Sequence, residues 1–368
     1  MGAYAQDAQQ VAATAAQAIS QAPEAAPKVK KPKNWATSLK TQVNLGQTQL
    51  TNWAAGGDNT VSLAAFIDGN ANWKQGDMFW NNRLQLDYGF LYASSKPILQ
   101  KSTDRIYLES KWGYKAPSTR YLYFSANYDF KSQFTTGYDY KTPASVNDAD
   151  GNELQGAALR DVWKDARVLK SNFLAPAYTN LALGIDFVPN KWFSLNFAPL
   201  TGGFVIVKDA ALRKSYSMDK TKGAKALEER FASYDEAAAS EADKADYASY
   251  QKTLENGTAY RSAKFEFGAQ LKADAKVNIN DNFSYSTQVV LFANYLDIKR
   301  CPRINWDNRI DWKLAKYFSL TLTTNLIYDD QIMIKNDKDI EKYPNGKARV
   351  QFKESLAFGF TYTIANKK

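Results

Sequence analysis

The groups able to do chemistry in this chain are carboxylates, lysines, arginines and hydroxyls, because its 368 residues include no histidine and a single cysteine. Without imidazole there is no Ser-His-Asp or Cys-His nucleophile, no histidine metal ligand and no histidine pH switch. Cys301 alone forms neither an internal disulfide nor a thiolate zinc cluster, and reads as an ordinary loop residue beside Pro302. Carboxylate-pair and Ser-Lys chemistry are what is left. Asp307 and Asp311 share one strand face, but so do Arg309 and Lys313. Alternating opposite charges neutralise one another and do not make an acid and a base with separated pKa values. Asn147-Asp148-Ala149-Asp150-Gly151-Asn152 offers oxygen ligands, yet lacks the spacing and distal Glu of a calcium loop, and reads as a hydrated loop. No catalytic residue, metal ligand set or cofactor site emerges. The net charge of +9 is scattered along the chain with no basic motif, which argues against nucleic acid as a partner.

The elements that hold these side chains are strands. No run of 18 apolar residues exists, so no helix of this chain spans a membrane. Strict alternation dominates instead. Trp80, Leu84, Leu86, Tyr88, Phe90 and Tyr92 share one parity against Asn81, Arg83, Gln85, Asp87 and Gly89 on the other. Phe352, Leu356, Phe358, Phe360, Tyr362 and Ile364 repeat the pattern near the end. Further alternation lies near 36 to 50, 58 to 75, 102 to 115, 120 to 135, 174 to 188, 192 to 208, 262 to 279, 283 to 295, 303 to 314 and 318 to 329. That makes about 12 strands, each holding one period for about 13 to 18 residues where strands in soluble proteins average about 5 to 6. Short turns such as Gln75-Gly76-Asp77, Pro189-Asn190-Lys191 and Asn280-Asp281-Asn282 alternate with mostly longer links, the largest about 136–173 and 209–261. Aromatic residues gather at both strand ends, among them Trp73, Phe79, Trp80, Trp112, Trp192 and Trp312 beside the short turns and Phe134, Phe265, Trp306 and Phe352 at the opposite ends. The expected fold is all-β: a transmembrane antiparallel β-barrel of a Gram-negative outer membrane, both termini periplasmic, with a helical external insertion.

Outside the barrel, Ala3-Tyr4-Ala5 has the small-x-small form that precedes signal-peptide cleavage, so residues 1–5 are expected to be the end of a signal peptide. Residues 6–33, rich in Ala, Gln and Pro with Lys28, Lys30, Lys31 and Lys33, carry too little apolar surface to fold alone and are expected to be a flexible periplasmic tail; residues 34–368 make the barrel. From about Lys225 to Glu255, Leu227, Phe231, Tyr234 and Ala238 stand at helical spacing and Gly257 is placed to stop the helix. This predicts a helix or helical hairpin that covers the barrel mouth or presents a face to a partner protein.

The stretch Asn52-Trp53-Ala54-Ala55-Gly56-Gly57-Asp58-Asn59, followed by Asn72-Trp73-Lys74 and the Trp80-Asn81-Asn82 strand, resembles the opening of an uncharacterised Bacteroidetes family of outer-membrane β-barrel proteins, a domain of unknown function. The resemblance runs over residues 34–368, and Trp53, Gly56, Gly57 and Asn59 are its most specific part. It implies location and fold and brings no catalytic residues. These residues fall in the first external loop, where the glycines permit a tight turn.

Parity then assigns the lumen. Lys40, Asp68, Arg83, Asp87, Arg105 and Glu109 face inward, as do Lys111, Asp129, Lys131, Asp186, Glu266 and Lys272, and with them Asp274, Asp307, Arg309, Asp311, Lys313 and Lys353. Nine bases meet nine acids, and Tyr121 and Tyr123 add bulk. A barrel of about 8 strands is filled by its own side chains and one of 16 to 18 leaves a channel, so twelve is intermediate. Charges of one sign would line a selective pore; mixed signs argue for a salt-bridge network that narrows or plugs the lumen. The expected function is non-enzymatic. The chain reads as a subunit or accessory of an outer-membrane assembly or export complex, touching lipid and lipopolysaccharide with its outer face and other proteins through the 209–261 insertion or the tail. The alternative is a narrow solute channel. A histidine-independent barrel enzyme has no support in the sequence.

Overall fold

The computed structural model describes residues 34–48, 59–298, 302–330, 332–334, 341–343 and 346–365. Ala36–Lys368 form one compact unit. Of Met1–Trp35, only Asn34 and Trp35 are among the described residues, so the signal-peptide end and the tail lie outside them, as do Trp53, Gly56, Gly57 and Cys301.

Twelve strands close into an antiparallel barrel: β1 (Trp35–Thr48), β2 (Thr60–Gln75), β3 (Met78–Ala93), β4 (Lys96–Lys115), β5 (Leu122–Ser132), β6 (Ala177–Phe187), β7 (Phe193–Ile206), β8 (Ala263–Asn278), β9 (Phe283–Asn294), β10 (Arg303–Lys313), β11 (Phe318–Tyr328) and β12 (Gln351–Ala365). Successive strands are neighbours, and β1 closes onto β12 with Ser38 opposite Ala365 and Asn44 opposite Gly359. Closure removes every sheet edge. Because the strands run up and down in turn, the short connections after β2, β4, β6, β8 and β10, together with Trp35 and Ala365, all fall at one end.

The two faces of this wall invert the pattern of a protein folded in water. Side chains shielded inside the barrel include Gln42, Asn127, Asp186, Asn196, Lys272 and Thr321, whereas Leu181, Phe197, Leu200, Phe265, Leu356 and Phe358 stand exposed outside. Burial of apolar area drives folding in water, so a wall that hides its amides and charges and exposes its hydrocarbon is built for an apolar solvent.

Register explains where the wall is tight. β6 and β7 shift register between Leu183 and Ile185, and the glycine inside that bulge, Gly184, would put an added Cβ against the carbonyl oxygen of Phe197 and the Cα of Ala198. Backbone cannot yield as a flexible side chain does. Gly184→Ala is expected to cost about 1–3 kcal/mol of unfolding free energy, read as a lowered urea midpoint for the refolded barrel.

Two departures from the sequence reading concern the wall. β4 begins at Lys96, so Ser94-Ser95 is a tight turn where a longer link was expected. Phe79 faces inward, edge-on to Tyr123 at 5.6 Å and over Gly113, and so does not belong to the outer girdle. Its parity matches Asn81 and Arg83; nearness to a short turn had outweighed that period.

The two longest connections are themselves structured. The β5–β6 link carries helix α1 (Gly156–Asp165) and a small hairpin of Gly137–Tyr140 with Arg167–Ser171. Asp104 on β4 ties its start down by accepting from the Phe134 and Thr135 N–H groups at 2.7 and 3.0 Å. Asp148, instead of offering ligands, accepts from the N–H groups of Asn152 and Asp150, both at 2.9 Å, and these bonds hold its carboxyl below the usual aspartate range. The β7–β8 link carries α2 (Ala210–Arg213), α3 (Lys222–Arg230) and α4 (Glu241–Glu255). Of the helix and the helical hairpin that the spacing allowed, the hairpin is the one formed. Thr221 and Ser240 cap the starts of α3 and α4, and Gly257, at φ +78°, follows the end of α4. Tyr234 and Ala238 lie in the link between the helices, where Tyr234 stacks on Tyr247 at 4.0 Å.

A small core of Ala224, Tyr250 and Ala259, with Leu227, Phe231 and Leu254 against it, holds the hairpin together. A second core of Ala175, Val205, Val207, Leu212 and Met218 joins both long links above β6 and β7. Arg213 donates to the carbonyls of Val207, Lys208 and Tyr260, clamping the two ends of the insertion. The buried Tyr250 hydroxyl has no hydrogen-bond partner among the described residues. Tyr250→Phe is therefore expected to leave α4 as stable or to raise its stability by up to about 1 kcal/mol, measured as amide hydrogen-exchange protection.

Candidate functional site: the charged lumen

The inward positions of adjacent strands first form pairs along the wall. Asp68 on β2 takes a two-pronged bond from Arg83 on β3, 3.0 Å to Nε and 2.7 Å to Nη2. Arg105 on β4 reaches Asp87 at 2.9 Å and the Gln85 amide oxygen at 2.8 Å, and Gln85 turns its own NH2 to Asp68. The polar groups of three strands, β2 to β4, are thereby linked edge to edge, because cross-strand neighbours sit about 5 Å apart.

Other bonds leave the wall and cross the interior. Lys272 on β8 donates to Glu109 on β4, although three strands separate them by the shorter way round, and the Tyr107 hydroxyl donates to the same carboxylate at 3.0 Å. Lys40 on β1 pairs with Asp311 on β10 at 3.2 Å. Arg309, also on β10, makes two 2.9 Å bonds to Asp311, one 2.9 Å bond to Gln42 on β1, and lays its guanidinium 4.8 Å from the ring centre of Phe66 on β2. Lys111 on β4 reaches past β5 to the fully buried Asp186 on β6 at 2.8 Å, and Asn196 fills in with 2.7 Å to Asp186 and 3.0 Å to Ser125. Near the long-loop end Arg303 closes on the buried Glu266 through two bonds. These bonds put side chains into the lumen and across part of its width.

The remaining expected lumen charges are treated differently. Asp129 accepts from the Asn180 amide at 2.9 Å, Asp274 from Gln288 at 2.6 Å, and Asp307 from Asn305 and Asn325. Lys131 lies within electrostatic reach of Arg105, of Asp307 across the barrel and of Lys353, and neither lysine has an ion pair among the described residues. Lys313 is exposed at the short-turn rim. Of the resembling motif only Asn59 is described; it exchanges bonds with Ser94, tying the end of the first loop to the β3–β4 turn.

Arg303, Tyr107, Phe66 and the lumen amides Gln42 and Asn196 were not among the residues singled out by parity, whereas Gln85 was. Arg303 shares parity with Asn305, Asp307 and Arg309, so the signal was present. The amides carry no charge to mark them in the sequence, yet they supply the second hydrogen bonds that buried ionic groups need. Chemically, the assembly has salt bridges and amides in tight contact, with each carboxylate of the crossing pairs held against a cation. That arrangement braces the wall and narrows the interior where the crossing pairs lie.

Among solved structures, the chain is similar to an outer membrane channel from Pseudomonas putida F1, at 9% identity and a TM-score of 0.34 over 93% of this chain and 100% of that one. It is also similar to the translocator domain of the autotransporter NalP from Neisseria meningitidis, at 9% identity and a TM-score of 0.33 over 98% and 97%. The NanC porin is similar at 5% identity and a TM-score of 0.33 over 89% and 98%. No curated protein matches the chain. Residues 45–138, which span β2 to β5, match the family model described as Protein of unknown function (DUF3078).

Proposed function

We propose that this chain is a non-enzymatic, integral outer-membrane β-barrel whose lumen is held shut by its own ion pairs, and that it serves as a subunit or accessory of an outer-membrane assembly or export complex. The short-turn end faces the periplasm in this reading and the two structured links face outward, with lipid and lipopolysaccharide against the apolar belt. The observation that carries it is the Glu109–Lys272 bond between non-adjacent strands, with Lys40–Asp311 repeating the closure nearer the short turns. A blocked barrel that also builds two loop cores and a helical hairpin has invested in surfaces for contact, not passage.

The test is gentle extraction from native membranes followed by native electrophoresis and mass spectrometry. A stable comigrating partner supports the complex role, and migration as a lone barrel contradicts it. A second reading, a narrow channel, is favoured by Lys131 and Lys353, whose lumen-facing charges lack ion pairs among the described residues. It expects anion-selective current.

A further inference from the structure

The charges of the two barrel ends differ in kind. The insertion between Lys208 and Arg261 holds ten bases and ten acids, and several of them pair, as Arg230 does with Asp243 and Asp246. At the short-turn end the balance fails. Lys74, Lys115, Lys276 and Lys313 stand at the last positions of β2, β4, β8 and β10 or one to two residues short of them, and none has an ion pair among the described residues. Arg120, Lys191 and Lys316 project from the turn tips, while those turns hold only Asp77 and Asp281 as acids. Of the nearby lumen acids, Asp186 is taken by Lys111 and Asp311 by Lys40 and Arg309, while Asp274, two residues from Lys276 on the same face, accepts from the Gln288 amide.

Orientation narrows what this charge can meet. Lys74 shares parity with Asp68, Lys115 with Glu109, Lys276 with Lys272, and Lys313 with Arg309, all of which bond inside the barrel. The four lysines therefore ring the opening. The lipid-facing perimeter at this end carries aromatic side chains instead, among them Trp80, Trp112, Trp192 and Trp312. Headgroups of the surrounding leaflet meet that aromatic belt, not the ring. Lysines are point charges on flexible stems, suited to several separate anions without fixed geometry, and the ion pairs deeper in the lumen stop a bound chain at the mouth.

We propose that the short-turn mouth of the barrel is a docking site for an acidic, extended peptide segment of a partner protein. This deepens the complex-subunit reading, on which it rests, by naming the face and the chemistry. The test uses the full chain in nanodiscs of phosphatidylcholine and a fluorescent polyglutamate peptide as probe. Binding is expected, weakening about tenfold or more as salt rises from about 50 to about 300 mM. The combined Lys74→Glu, Lys115→Glu, Lys276→Glu and Lys313→Glu variant is expected to lose at least about tenfold in affinity with an unchanged urea midpoint. Reversal of the exposed Lys214, Lys222, Lys225 and Lys252 on the insertion is expected to change nothing. Equal binding by wild type and mouth variant, or no binding by wild type, overturns the proposal. So does displacement of the peptide when phosphatidylglycerol replaces part of the lipid, since that assigns the lysines to headgroups. A barrel that migrates alone in native extracts yet binds the peptide through these lysines overturns only the complex reading and leaves the acidic-peptide site standing.

Discussion

Replacement of Lys272 by methionine is expected to lower the unfolding free energy of the barrel by about 3–5 kcal/mol, the usual consequence of stranding one member of a buried ion pair. Lys272 is 6% exposed and donates to Glu109, whose other side-chain hydrogen bond comes from the Tyr107 hydroxyl, with Lys111 and Arg83 in electrostatic reach. Methionine keeps the length of the side chain and removes the charge, so the loss isolates the electrostatic part. Glu109 would then keep one hydrogen bond, from a neutral hydroxyl, with the cations of Lys111 and Arg83 engaged at longer range. The double variant Lys272→Met with Glu109→Leu removes both charges, and its stability is expected to return most of the way, because apolar replacement of a whole buried pair is often neutral. Urea unfolding of protein refolded into vesicles measures both. Near-equal losses in the single and double variants would place the effect in packing and not in charge.

Leu183→Arg is expected to cost about 2–4 kcal/mol in a bilayer, the range for arginine near the midplane of a barrel's lipid face. Leu183 lies near the middle of β6 and is 43% exposed on the bare chain, while its neighbour Ala182 points inward at 1%. An exposed leucine on a protein folded in water tolerates this change within about 0.5 kcal/mol. The size of the loss on refolding into vesicles therefore separates a membrane wall from a soluble one.

These expectations rest on features of unequal legibility. Strand number and the inward set follow from a period of two, and a one-residue error would have moved every side chain to the wrong face. The alternation around Arg83 and around Phe358 was long enough to fix both. Partners across the lumen were not legible. Whether Glu109 meets Lys272 or Lys111 depends on how far the sheet shears as it closes, a property of all twelve strands together. Sequence neighbours on one face, such as Arg309 and Asp311, were legible as partners; Lys40–Asp311, which closes across two intervening strands, was not. The helical insertion shows the same limit on a smaller scale, since the spacing of Leu227 and Phe231 fitted a helix but the break at 231–240 is set by the two caps and by Tyr234 packing on Tyr247.

The claim on which the rest depends is that ion pairs close this barrel, and single-channel recording of the purified protein in a planar bilayer tests it most directly. The wild-type barrel is expected to show no stable open level, and a variant with Arg83, Arg105, Lys272 and Arg309 all changed to serine is expected to show one. A steady conducting level from the wild-type barrel, unaltered by those four substitutions, would contradict a lumen shut by its own side chains.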